Sequence, residues 1–449
     1  MATSPKAFLI ELYREYLDTA SFLRDQTRSL REDPEVSWLD LKSFEERREA
    51  CLDGLVVGGD LAVQVAQIRA QEGDPGELYS AVCLFCRLQM RSVVMDIARG
   101  LVPDNPERID AMADALKQEC PEAWFEDLIH VPAIQPQDDA RLIVAAKVAG
   151  FRRWKQAAPM LGKLLHGASA VALPALLSAL GRVGTLDMRS LLSEKLYHED
   201  DQVRSTAAHS LLRLGESEVI DFCLKAVPTH AWAAVLTGLA GTRAATQTLL
   251  ACARSPEPHR ESILAMGLLG DVAAVPALIS LLTKGVCLAG ATQALELLTG
   301  ASLRETVFVP ETEEVTDKTA PPAPVTKPDG KPYGSNVNRP TVKADVWQNW
   351  WDKNKAKFNP GLRYRQGRAC SPEVLLAVIE SPSTPGAVRY WTAEELRIRY
   401  GYDWNFETEM LVKEQLVAIS KARSWVKDTG IRFSPGTTFF AGRELTRNG

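Results

Sequence analysis

Between residues 137 and 303 one phrase recurs, an apolar helical run closing on glycine. The glycines are Gly150, Gly181, Gly215, Gly241, Gly270 and Gly300, spaced by 31, 34, 26, 29 and 30 residues. A period of about thirty is what two short helices and two turns require at about 1.5 Å per helical residue. Each unit carries a one-sided stripe. Val203, Ala207, Leu211 and Leu214 fall at helical spacing before Gly215, and Val275, Leu278, Ile279 and Leu282 do so after Gly270. Glycine suits the left-handed residue that closes a helix. Pro159 and Pro276 suit a first helical turn, where a missing N–H costs nothing. Neither helix of a pair buries its stripe alone, but stacked pairs bury a continuous core. The expected fold is therefore all-α, an α-solenoid of helical hairpins with about five pairs in this window.

The stretch HEDDQVRSTAAHSLLRLG, His198 to Gly215, resembles a HEAT repeat, in which an acidic residue precedes a helix opened by valine and arginine. Here these are Asp201, Val203 and Arg204. Asp201 is expected to cap the helix, and Arg204 to reach an acidic residue of the neighbouring repeat, so that the two form a ladder setting repeat register. Around this 137–303 block, residues 1–136 read as divergent or capping helical repeats, since terminal repeats present one face to water. Residues 304–342 are rich in proline, threonine and charge and read as a flexible linker. Residues 343–430 read as a tryptophan-rich helical segment capping the solenoid, and residues 431–449 as an irregular tail.

Charge excludes little and favours less. With 52 basic and 57 acidic side chains the formal net charge is −5, so nucleic acid is not the expected partner. No run of about 18 apolar residues occurs, and Glu11 interrupts the first apolar stretch before it reaches the length of an export signal. Eight cysteines lie scattered in apolar contexts, which fits buried thiols in a reducing compartment. The expected location is cytoplasmic. The pair Cys83 and Cys86 forms CxxC, but neither an exposed helix start nor a second pair for zinc accompanies it. His198–Glu199 is a single His-Glu dipeptide, and none of the six histidines has HExxH spacing. No P-loop, GxGxxG after a strand, or GxSxG is present. No catalytic, cofactor-binding or metal-binding residue is nominated, and the chain is not expected to be an enzyme.

The strongest functional candidate is WQNWWDKNKAKFNPGLRYRQGR. Trp347, Trp350 and Trp351 share one helix face at i, i+3 and i+4. Tyr364, Arg363, Arg365 and Arg368 follow. Three roles fit: the core of a small domain with its lysines solvated, a protein interface rich in Trp, Tyr and Arg, or a stacking and phosphate-binding strip for nucleic acid. The segment is too small for a core of its own. The tryptophan helix is therefore expected to pack on the last repeat near Leu288 to Leu298. Arg363 and Arg365 would stand at the rim, free to meet a partner, and their joint removal would leave stability unchanged.

From about residue 40 to 370 the order of features resembles an uncharacterised bacterial family of HEAT-repeat proteins. The marks are EERREACLDGL near residue 50, ESILAMGLLGDVAAVPALISLL near 270, LAGATQALELLTG, and the WxxWW to FxPGxRY segment. Ala291 stands where members more often carry an acidic residue. The family is similar in outline to phycobilisome-lyase-type HEAT proteins, and its genes often lie near type VI secretion genes. The resemblance implies a scaffold or adaptor that binds another protein, such as a secretion effector or spike component, along its solenoid face. Two alternatives accompany it, a lyase-like enzyme acting on a tetrapyrrole or similar ligand, and a nucleic-acid-binding HEAT protein.

Overall fold

The computed structural model describes residues 4–33, 35–129, 138–255, 259–311, 325–328 and 330–445. Its helices run in order α1 (Pro5–Glu32), α2 (Leu41–Val57), α3 (Gly59–Glu72), α4 (Pro75–Arg87), α5 (Arg91–Arg99), α6 (Pro106–Glu119) and α7 (Phe125–Ile129). The central block holds α8 (Asp139–Arg152), α9 (Ala158–Leu164), α10 (Leu173–Val183), α11 (Arg189–Ser193), α12 (Asp201–Arg213), α13 (Glu218–Ala226), α14 (Ala231–Ala240), α15 (Thr246–Ala253), α16 (Arg260–Leu269), α17 (Val275–Thr283) and α18 (Leu288–Thr299). A ribbon β1 (Arg304–Pro310) and β2 (Gly334–Pro340) follows, then α19 (Ala344–Asn354) and the short pair β3 (Tyr364–Arg365) and β4 (Arg368–Ala369). The chain closes with α20 (Pro372–Glu380), α21 (Gly386–Tyr400), α22 (Val412–Thr429) and the hairpin β5 (Phe439–Phe440) and β6 (Arg443–Glu444).

The architecture is an all-α solenoid of HEAT-like hairpins. An inner row of helices contacts neighbour to neighbour from α4 through α6, α8, α10, α12, α14 and α16 to α18. The helices between them form the outer row. The window from 137 to 303 holds five hairpins plus α18, and the two-row stacking also runs back through residues 59–129.

The recurring glycines do two different jobs. Gly215, Gly270 and Gly300 take positive φ of 77°, 81° and 57° at helix ends, as a left-handed cap requires. Gly150 and Gly181 instead lie inside helices, where the inner row crosses closest. A Cβ on Gly150 would come 3.0 Å from Ala179 Cα, and one on Gly181 would come 2.6 Å from the Ser210 hydroxyl. Gly238 and Gly267 do the same against Ala265 and Ala294. Small residues thus set the inner row's spacing. Leu211, whose stripe defines the clearest repeat, is fully buried.

Two expectations about the ladder change. Asp200, not Asp201, caps α12, accepting from the amides of Gln202 and Val203 at 2.7 and 3.1 Å. Arg204 pairs with its own Asp201 one turn away rather than with the next repeat. The inter-repeat contact runs the other way, from Trp232 Nε1, which donates to Asp201 at 3.3 Å.

Residues 304–342 are not simply a linker. β1 and β2 pair antiparallel over seven positions, from Arg304 opposite Pro340 to Pro310 opposite Gly334. The run Thr306, Val307, Phe308 and Val309 supplies the β-branched and aromatic side chains that a strand favours. The rest of that linker, 312–324 and 329, lies outside the described residues.

The chain then returns across its own solenoid. α19 packs on α17 of the last hairpin, while β3 meets α18. α21 contacts α14, α12 and α1, and α22 contacts α2. Trp38 and Leu41, just ahead of α2 and at its start, share a core with Leu375, Leu396, Tyr400, Trp404 and Ile419. The C-terminal lobe thereby joins both ends of the solenoid. The 431–445 stretch is tied in too, as Ala441 and Gly442 amides donate to Ile398 and Arg399 carbonyls at 2.8 and 2.9 Å.

Candidate partner-binding surface

The structure divides the nominated residues into a buried and an accessible group. Trp347 is buried in the core of the last hairpins with Leu278, Leu282 and Leu295, and its indole N–H donates to the Thr341 carbonyl at 2.8 Å. Tyr364 is buried as well. Its ring meets Phe358 edge-on at 4.9 Å, and its hydroxyl accepts from the Asn359 amide at 2.7 Å. Trp350 and Trp351 are half-buried, their rings 6.4 and 5.4 Å from Phe358. Arg368 stays exposed, 3.6 Å from Glu373. The tryptophan helix packs mainly on α17, with Leu295 of α18 in the same core.

Arg363 and Arg365 overturn the rim expectation. They are 1% and 0% exposed. Arg363 donates through Nε to the Leu269 carbonyl at 2.8 Å and through Nη2 to Leu268 at 3.2 Å and Glu395 at 2.6 Å. Arg365 donates to the Gly267 and Leu268 carbonyls at 3.0 and 2.9 Å and to the other Glu395 oxygen. Arg399, also fully buried, lies 3.4 Å from Glu395 and donates to the carbonyls of Gly238 and Gly241, both at 3.1 Å. One carboxylate therefore faces three guanidinium groups. The carbonyls at the C-terminal ends of α14 and α16, each the negative end of a helix dipole, take up the excess positive charge. Burial alone would push the Glu395 carboxyl up, but Arg365, Arg363 and Arg399 together hold it below its usual range.

The same design recurs along the inner row. Glu394 accepts from His209 at 2.7 Å and pairs with Arg213 on α12. Glu407 accepts from Arg153 Nη2 at 2.9 Å and Arg182 Nε at 2.8 Å, at the ends of α8 and α10. Burial opposes ionisation of Glu407, yet Arg182, Arg213 and Arg153 bring its carboxyl down to about 2. Burial lowers His209 despite Glu394, so the imidazole is neutral near pH 7. Cys83 and Cys86 are buried, and burial pushes the Cys83 thiol up to about 12, the opposite of an activated thiolate. Sequence reasoning missed Glu394, Glu395, Glu407 and Arg399. The signal available was RYWTAEELRIRYG, a helix with charge on every face and no solvent side.

One accessible surface lies at the ribbon. β1 and β2 pair only with each other among the described residues, so each keeps one edge without a strand partner. Phe308, Val309 and Tyr333 are 46%, 42% and 40% exposed. The ribbon's base is fixed: the Thr341 amide donates to the Leu303 carbonyl at 2.9 Å, and Lys343 lies 3.2 Å from Glu305. α19 starts immediately beyond, with exposed Lys353 near its end and exposed Lys355 and Lys357 just past it. Among the described residues no single helix is long and apolar enough to cross a membrane.

No protein-family model and no curated protein matches the chain. A similar solved structure is the complex of CpcE and CpcF of phycocyanin lyase from Nostoc sp. PCC7120, at 20% identity and a TM-score of 0.29, covering 52% of this chain and 85% of that one.

Proposed function

We propose that this chain is a protein-binding scaffold whose partner docks on the ribbon and the adjoining tryptophan helix. The observation that carries the reading is the exposure of Phe308, Val309 and Tyr333 on a two-stranded ribbon with free edges. Unpaired strand edges offer a row of amides and carbonyls to an added strand, and aromatic side chains supply most interface hot spots. The half-buried Trp350 and Trp351 extend this surface at low entropic cost. The inner row is an unsuitable docking face at α12, α14 and α16, because the chain's own C-terminal lobe occupies it. By the family resemblance, the partner would be a component or effector of a secretion system.

The test is affinity purification from native cells at physiological salt, comparing wild type with the double variant Phe308→Ser, Val309→Ser. Wild type should recover one protein in stoichiometric amount, and the variant should lose it while melting at the same temperature. Retention by the variant overturns the ribbon assignment. Recovery of no stoichiometric protein across several growth states overturns the scaffold reading itself.

A further inference from the structure

A second feature lies where α21 starts, away from the ribbon's own residues. A cleft of about 730 Å³ opens there between α1, α2, α4, α6, α8 and the first turns of α21, a size typical of small-molecule sites. Six basic and four acidic side chains line it. Three of the basic groups are neutralised within the chain. Arg24 pairs with Asp114 at 2.9 Å, Lys117 with Glu409 at 2.8 Å, and Lys147 with Asp110. The other three, Arg28, Arg31 and Arg48, form no ion pair among the described residues; of the acidic side chains lining the cleft only Glu32 is left for them, and behind the wall the buried Glu45 acts on Arg31 and Arg48 at longer range.

Arg31 and Arg48 are not ordinary surface arginines. Arg48 is 3% exposed, and its Nε has no hydrogen-bond acceptor. Its guanidinium reaches only the Gln118 side chain, at 3.4 Å, and stands 5.5 Å from the Tyr79 ring centre. The Arg31 Nε is likewise buried without an acceptor. Burial draws the Arg31 guanidinium below its usual value even with Glu409, Glu45 and Asp114 nearby. Leaving buried guanidinium donors unsatisfied is costly, so an acceptor from outside would be held strongly.

The backbone adds to the same field. Pro385, Gly386 and Ala387 line the cleft and form the start of α21, a helix of 15 residues with no side-chain cap and no acidic residue in its first turn. Its first amides are open donors at the positive end of a helix dipole. Tyr390 and Trp391 continue the cleft wall from the next turn.

We infer that this cleft binds an organic anion carrying phosphate or clustered carboxylate groups, seated between Arg31, Arg48 and the first turn of α21. Forked guanidinium groups match both oxyanions with paired hydrogen bonds. Tyr390 and Trp391 would flank the ligand's less polar part. The site stands apart from the ribbon and does not depend on the scaffold reading.

The experiment is a thermal-melt titration of the full chain with sodium pyrophosphate, with citrate, and with sodium chloride at matched ionic strength. At least one of pyrophosphate and citrate should raise the melting temperature well beyond chloride. The one that acts at lower concentration assigns the site to phosphate or to carboxylate. Arg31→Gln should weaken the apparent affinity at least tenfold, and Phe308→Ser should leave it unchanged. Should Arg31→Gln fail to fold, Arg28→Gln, at an exposed position, makes the same comparison with an expected loss of several-fold. No stabilisation beyond chloride by either anion, or equal affinity in the variant compared, overturns the assignment.

Discussion

Replacing Glu395 by alanine tests whether the C-terminal lobe is part of the solenoid's fold. The substitution removes the one carboxylate among Arg363, Arg365 and Arg399, all at most 1% exposed. Breaking a buried ion pair from one side costs about 3–5 kcal/mol. The carbonyls at the ends of α14 and α16 stay in place, and a cation at a helix C-terminus recovers up to about 2 kcal/mol. A net loss of about 3 kcal/mol follows. Unfolding entropy of about 2.1 cal/mol/K per residue gives about 0.9 kcal/mol/K for the 449 residues, so a cooperative melt should fall by about 3 °C. Calorimetry reads that shift. Hydrogen exchange should also rise in α21 and at the C-terminal ends of α14 and α16. Glu395→Gln, which keeps the acceptor and the volume, should lose less. Arg368→Ala, at an exposed position, should stay within about 0.5 kcal/mol of wild type. An alanine variant that melts within 1 °C of wild type (about 1 kcal/mol by the same entropy) with unchanged exchange would refute the reasoning.

Acid should unfasten the lobe. The Glu407 carboxyl sits at about 2 in the folded chain against about 4.3 unfolded, so its stabilisation is complete above the unfolded value and disappears as pH falls from about 4 to about 2. The difference is worth about 3 kcal/mol, and denaturant midpoints at pH 7, 4 and 2.5 should show the decline, flattened in Glu407→Gln. Leu211→Asp places a charge where a fully buried leucine joins neighbouring repeats, at a cost of several kcal/mol. Circular dichroism and size exclusion should find it unfolded or aggregated, and a native melt would refute the shared core.

The solenoid was legible because its signal is periodic. Stripes at helical spacing, a repeat of about thirty residues and glycine at unit ends are all local features. Which glycines close helices and which sit at helix crossings was not legible, since both stand at the same place in the phrase and only packing separates Gly181 from Gly215. The ribbon was hidden by composition: Pro, Thr and charged residues outweighed the four-residue strand signal at Thr306 to Val309. Trp347 could be placed on the last hairpin from the size of the segment alone. Arg363 and Arg365 could not, because a charged side chain reads as solvated unless its partner is known, and Glu395 lies thirty residues further along.

That failure points to the physical problem this fold solves. The six inner helices from α8 to α18 are each only 10 to 14 residues long, so a large share of their carbonyls falls in unsatisfied last turns. Water cannot reach those ends where the lobe covers them. Arginines take its place. Arg399 serves α14, and Arg363 and Arg365 serve α16, while Arg189 on the preceding helix, α11, serves α12 through Leu214 at 2.9 Å. At α18 the task falls to backbone, as Gln366 and Gly367 amides donate to Leu297 and Leu298 at 2.7 and 2.9 Å. Each such arginine brings a charge that must be balanced, which is why buried glutamates accompany them. The segment that reads in sequence as a basic recognition strip is thus the terminator of the solenoid's own helices. The recognition proposed above uses surfaces these pairings leave free, the ribbon edges and the uncapped start of α21.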